Sequence, residues 1–176
     1  QWCLVPAVKL GLERLAMTAL VTLRRSRLGE CACSPRSRLS RFIPDSELSV
    51  LNADPRPEVP ASRLLRDLVR AGLWAAECTD GLVEPTLVSE LEAVGYTQSL
   101  ADSEPASLQE ALAYGPPRCP ARPHPAARWR QVEVDDRAGV VRRRPGVQID
   151  SGGVGKGLAA DMVAFRLFGY SRYVVD

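Results

Sequence analysis

The chain has 176 residues, 45% of them hydrophobic and 25% charged, with a formal net charge of +2. This is close to ordinary globular usage and long enough for one substantial core, so one domain, or one and a fragment, is expected. The small net charge excludes a chain that is polybasic throughout, and any polyanion-binding surface would have to arise from local clustering. No apolar run approaches the roughly 20 residues that span a membrane, since Leu15 to Leu23 is broken by Thr18 and Thr22.

Residues 1–39 form a poorly interpretable N-terminal segment. Leu10 to Leu23 has weak helical periodicity, and Arg24 to Arg41 is a basic stretch without a clear period. Five cysteines, Cys3, Cys31, Cys33, Cys78 and Cys119, are odd in number and lack the paired C-x-x-C spacing of zinc sites, so they read as reduced thiols. Pro44 and the capping-type Asp45 and Ser46 then introduce a short helix ending near Asn52, which reads as its C-terminal cap.

Ser62 is a good N-cap for a helix over Arg63 to Cys78, with Leu64, Leu65, Leu68, Val69 and Ala76 on one face. Thr79-Asp80-Gly81 stops it. A second helical pattern follows Glu84-Pro85-Thr86, runs through Leu91 and fades near Gly95, and a third covers Leu108 to Leu112. Gly115 to Pro125 is a proline-rich loop holding the one histidine, His124, which reads as solvated. Trp129 to Asp135 alternates apolar and polar residues and turns at Asp136 to Gly139 into Val140-Val141, a β-hairpin. Arg142-Arg143-Arg144 reads as a solvated basic turn and not as a nucleic-acid site. Val147-Gln148-Ile149 is expected as a strand, Gly157 to Phe168 as a helix stopped by Gly169, and Tyr173-Val174-Val175 as a last strand.

The chemistry concentrates in Asp150-Ser151-Gly152-Gly153-Val154-Gly155-Lys156-Gly157. Four glycines in six residues precede a helix, so backbone N–H groups are bared where the helix dipole is positive, an arrangement that suits a phosphate. Arginine occurs 21 times and lysine twice, so Lys156 stands out as a compact, mobile ammonium at this position. A Walker A loop is excluded, because Gly157 stands where Ser or Thr is needed and Asp150 where the first glycine belongs. A dinucleotide-binding G-x-G-x-x-G is excluded as well, because counting from Gly153 its last position is Leu158. Taken alone, such a turn is as often a tight connection as a phosphate site.

Three ordered segments decide between those readings. Ser40-Arg41-Phe42-Ile43-Pro44-Asp45-Ser46-Glu47-Leu48-Ser49-Val50-Leu51-Asn52 is similar to an S-x-Y-x-x-D-S-E-L-S-x-L-N motif, Thr79 to Thr86 to T-x-G-x-F-D-P-T, and Asp150 to Asp161 to D-x-G-G-I-A-K-G-x-A-x-D. Together they resemble the ApbE family, magnesium-dependent transferases that move FMN from FAD onto proteins.

The resemblance implies an α+β fold, a mixed sheet with packed helices, over a partial FAD-binding region at 40–176. It places Phe42 as an aromatic contact to FAD, Leu82, Val83 and Glu84 along the flavin pocket, and Asp150 and Lys156 on the dinucleotide. Gly153 would offer its backbone carbonyl to Mg2+. No catalytic residue is assigned. Phe42 in place of tyrosine loses a hydroxyl, and Glu84 in place of aspartate carries its carboxylate one methylene further.

The implied reaction attaches FMN to a Thr or Ser hydroxyl of a flavin-acceptor protein and releases AMP. Alternatives are an FAD pyrophosphatase and a non-catalytic flavin-binding remnant. The family pattern continues past Asp176 with Gly-Gly-Asp and a later Asp and Thr of the metal site, so an incomplete C-terminus, inactive alone, is expected. The absence of an evident signal peptide predicts a cytoplasmic protein, whereas the family is often extracytoplasmic.

Overall fold

The structure, a computed structural model, describes residues 35–99, 107–115 and 119–170. Residues 27–159 make up the larger of two compact units, and residues 160–170 are the described part of the smaller one. The cysteines at 3, 31 and 33, the pattern at 10–23 and the strand expected at 173–175 lie outside the described residues.

A single helical turn, α1 (Pro35–Arg38), leads to α2 (Glu47–Ala53). Ser46 caps α2, its hydroxyl accepting from the Ser49 N–H at 3.0 Å while donating to the Ser40 carbonyl. The cap therefore also fixes the entering chain. Strand β1 (Glu58–Pro60) precedes α3 (Arg63–Cys78), which Ser62 caps by accepting from the Leu65 N–H. The buried face of α3 is Leu65, Leu68, Val69, Gly72 and Ala76, with Leu64 at its margin. Asp80 and Gly81 end it with positive φ, at 49° and 82°.

Helices α4 (Val88–Ala93) and α5 (Leu108–Tyr114) follow, then the hairpin β2 (Val132–Asp135) and β3 (Val140–Arg143), and finally α6 (Gly155–Arg166). The described sheet is antiparallel, in the order β1-β3-β2, with Val59 opposite Val141 and Val134 opposite Val141 on the other side. Side chains alternate across it. Val59, Val132 and Val141 join Leu48, Leu51, Leu65, Leu68, Val69, Val147 and Ile149 in one core. The opposite face carries Arg142, whose Nε lies 2.8 Å from Glu58 and whose terminal nitrogen lies 2.8 Å from Asp135. The α+β class expected from the sequence is what the chain adopts.

The structure departs from several expectations. Trp129 to Gln131 is a 3₁₀ turn and not strand, entered through Ala127 in the left-handed region at φ 42°. Val147 to Ile149 forms no regular strand and pairs with none among the described residues; side chains hold it instead. Asn52 lies inside α2, whose C-cap is Asp54. Arg142 and Arg143 belong to β3, and Arg143 is not solvated: it is 3% exposed and donates to the carbonyls of Val147, Leu51 and Asp54.

His124 is half-buried as well, its Nε2 3.4 Å from the Glu90 carboxylate that Arg128 also grips. Cys78 and Cys119 are exposed free thiols.

Asp54 shows what one neighbour does to a titrating group. A side-chain hydrogen bond from Arg56 holds its carboxyl at about 2, below the ordinary 3.8. A carboxyl depressed in the folded state stabilises above its unfolded value, and that contribution disappears as pH falls from 3.8 toward about 2. Arg56→Ala is expected to raise the Asp54 midpoint from about 2 toward 3.8, read by carboxyl-carbon NMR, with the backbone N–H of residue 56 and the Arg143 charge still holding it down. An unmoved midpoint would remove Arg56 as the cause.

Candidate functional site

Three segments converge on the glycine-rich turn. The first is the loop after α3. Thr79 donates its hydroxyl hydrogen to the Ala75 carbonyl at 2.7 Å and accepts from the Val83 N–H at 2.9 Å, so the end of α3 dictates where Val83 and Glu84 lie. Glu84 is half-buried. Its Oε1 accepts from the N–H of Thr86 and from the Thr86 hydroxyl, while its Oε2 is buried with no hydrogen-bond partner among the described residues. Pro85 presses on α3 at Gly72, where an added Cβ would stand 3.0 Å from the proline ring. Glycine at 72 thus permits this approach.

The second segment is the turn itself. Asn52 reaches across from α2 and exchanges two hydrogen bonds with the backbone of Ile149, both 2.8 Å. The next residue, Asp150, donates its N–H to the Pro85 carbonyl at 2.8 Å. These bonds do for this stretch what a neighbouring strand would do, and they aim Asp150 into the turn. The Asp150 carboxylate accepts from the Gly152 N–H at 2.8 Å. A Cβ on Gly152 would lie 2.7 Å from that same carboxylate oxygen, so any other residue here would push the carboxylate out of this bond.

Beyond it α6 begins at Gly155 with no acidic residue in its first turn, leaving the positive end of the helix dipole uncompensated beside exposed Lys156. A methyl on Gly153 would sit 3.7 Å from the Val83 side chain, so Val83 and the turn adjoin.

The third segment carries Phe42. Its half-buried ring meets Tyr96 edge-on at 5.2 Å, and the Arg41 guanidinium lies 4.2 Å from its centre. The expected site residues therefore divide. Val83, Glu84, Asp150 and Gly153 gather around the turn through Pro85, Phe42 joins them by way of Arg41, Lys156 stands exposed at the start of α6, and Leu82 is turned outward at 56% exposure. Tyr96 and the clamping role of Asn52 were not anticipated. An arginine beside the one aromatic residue of the first motif was the available signal.

The described residues do not by themselves fit a divalent cation. No three His, Cys, Asp or Glu side chains among them gather into a metal-holding group. Asp150, the carboxylate nearest Gly153 in sequence, is already engaged on both oxygens, by Gly152 and Arg41. Two open concavities, about 480 and 360 Å3, lie elsewhere, one between α3 and Trp129 and one over β2 and β3. Neither is lined by the turn.

A small antiparallel sheet packed on α3, followed by a glycine-rich turn at a helix N-terminus, is an α+β fold of the flavin-transferase type. The ApbE family profile matches residues 30–176, and the chain belongs to the ApbE family. Among solved structures it is similar to the flavinyl transferase ApbE of Pseudomonas stutzeri in its apo form, at 23% identity and a TM-score of 0.54 over 77% of this chain and 40% of that one. The ApbE protein of Thermotoga maritima is 26% identical, with a TM-score of 0.54 over 76% of this chain and 40% of that one. The flavin transferase ApbE of Vibrio cholerae is 19% identical, with a TM-score of 0.54 over 77% and 41%. The chain thus spans about 40% of the length of the structures it matches. No curated protein matches it.

Proposed function

We propose that the chain carries the FAD-binding part of an FAD:protein FMN transferase. The observation that carries this reading is the pinned turn: Asn52 and Pro85 fix Asp150 at the head of four glycines and an uncompensated helix N-terminus. FAD phosphates would sit on the backbone N–H groups there, with Lys156 as a point charge. Val83 and Glu84 would line the adjoining flavin pocket and Phe42 would touch the flavin.

In the reaction, the Thr or Ser oxygen of an acceptor protein forms a bond to the FMN phosphorus. The bond from that phosphorus to the bridging oxygen breaks, AMP leaves with the electron pair, and the hydroxyl proton passes to solvent or product. The chain's own contribution is orientation and charge neutralisation around the pyrophosphate. Gly153 would offer its backbone carbonyl to magnesium, which would supply further neutralisation once carboxylate ligands from outside the described residues completed its site.

Incubating the product of the full reading frame with FAD, Mg2+ and an acceptor protein is expected to give a fluorescent covalent band. No band, where another flavin transferase labels the same acceptor, overturns transfer. Equal FMN and AMP release without acceptor would establish FAD hydrolysis at the same site. Lys156→Ala is expected to raise the FAD dissociation constant about tenfold, the worth of one charge-assisted hydrogen bond, read by quenching of flavin fluorescence.

A further inference from the structure

Arg41 is placed unlike a surface arginine. Its side chain is 6% exposed, and its guanidinium lies against both rings of the Phe42–Tyr96 pair, 4.2 Å from the centre of Phe42 and 4.6 Å from that of Tyr96. One terminal nitrogen donates to the Tyr96 carbonyl at 2.6 Å, and the other stands 3.8 Å from the Glu92 carboxylate. Its Nε lies 3.1 Å from Asp150 Oδ1. That buried N–H is not aligned for a hydrogen bond, so charge at short range holds the carboxylate. A planar cation packed against two rings and bonded to a backbone carbonyl has few rotamers left, which makes it a fixed charge where a lysine would be a mobile one.

Two consequences meet at the turn. The Asp150 carboxylate keeps one orientation, with its other oxygen accepting from Gly152. Its negative charge, which would otherwise repel an arriving phosphate, is offset. We propose that Arg41 is a positioning residue for the glycine-rich turn: it pins and neutralises Asp150, and its contact with both rings ties Phe42 to the same point. The ligand side of this inference rests on the FAD reading above.

The test compares the full chain with R41L, R41K, D150N and R41L/D150N by flavin-fluorescence titration with FAD and Mg2+. R41L is expected to weaken FAD binding about tenfold and R41K by less, within the range that positional couplings span. Adding D150N to R41L should cause no further loss, because the two residues act as one unit and the unpaired charge is then gone. Effects that multiply, or an R41L that binds like the wild type, overturn the proposal.

Amide hydrogen exchange on the ligand-free chain provides a readout independent of FAD. R41L should accelerate exchange across residues 150–157 while residues 63–78 keep wild-type rates. Unchanged exchange at the turn overturns the role of Arg41. A wild-type chain that fails to bind FAD would overturn the reading of the site, and the exchange result would still decide Arg41.

Discussion

Arg143→Met is expected to lower the free energy of unfolding by about 3 kcal/mol, because it strands buried acceptors that only a guanidinium can reach together. Arg143 donates to the carbonyls of Val147 at 2.8 Å, Leu51 at 2.5 Å and Asp54 at 2.7 Å. No carboxylate is bonded to it among these contacts, and burial pushes its pKa below the ordinary arginine value. Methionine matches the stem and removes every donor. Urea unfolding of the two chains measures the difference. The neighbouring Arg142→Met, on the outward face of β3, should cost within about 1 kcal/mol, as exposed ion pairs do. If the two substitutions cost the same, the carbonyls at Leu51, Asp54 and Val147 are finding water, and the bonds to Arg143 do not stabilise the fold.

Asn52→Leu is expected to cost about 2 kcal/mol of stability through two lost hydrogen bonds in a half-buried position. It should also weaken FAD binding, since Ile149 is the residue before Asp150. Both bonds, from the amide nitrogen to the Ile149 carbonyl and from the Ile149 N–H to the amide oxygen, are 2.8 Å. Aspartate at the same position could accept but not donate, so Asn52→Asp should fall between leucine and the wild type. Unfolding free energies and FAD titration provide the two measurements. A leucine variant that loses stability but binds FAD normally would separate the clamp from the site.

What the sequence made legible was local. Ser62 followed by Leu65, Leu68 and Val69 is a cap and a stripe, and α3 occupies the expected residues. Ser46 likewise starts α2. Where the sequence misled, the deciding partner was distant. Val147 and Ile149 are apolar and buried, 4% and 2% exposed, which is why they read as strand, yet their backbone is served by Asn52 and Arg143. Trp129 to Gln131 alternates like a strand, but the left-handed Ala127 turns the chain into a 3₁₀ coil before β2 can begin.

The candidate site shows the same division. Asp150 and its glycines were visible as a pattern, whereas Arg41 was one arginine among 21. Only tertiary packing places it against two rings and a carboxylate. The basic run at 142–144 hid its one buried member for the same reason, because a pattern of charge does not show which side of a strand faces inward.

The sheet order also has a consequence in time. β3, the middle strand, comes last in sequence among the three, and its Arg142 pairs with Glu58 across 84 residues. Arg143 and Leu51 are 92 residues apart, and Asn52 and Ile149 are 97 apart. Closing such long loops is what slows folding, and it must happen before β1 can join the β2–β3 hairpin. During synthesis α2, β1 and α3 therefore emerge with their apolar faces unpartnered and wait for the residues near 140–150. The segment that completes the core is the one that leads into the glycine-rich turn, so the site is assembled by the same late event that closes the fold.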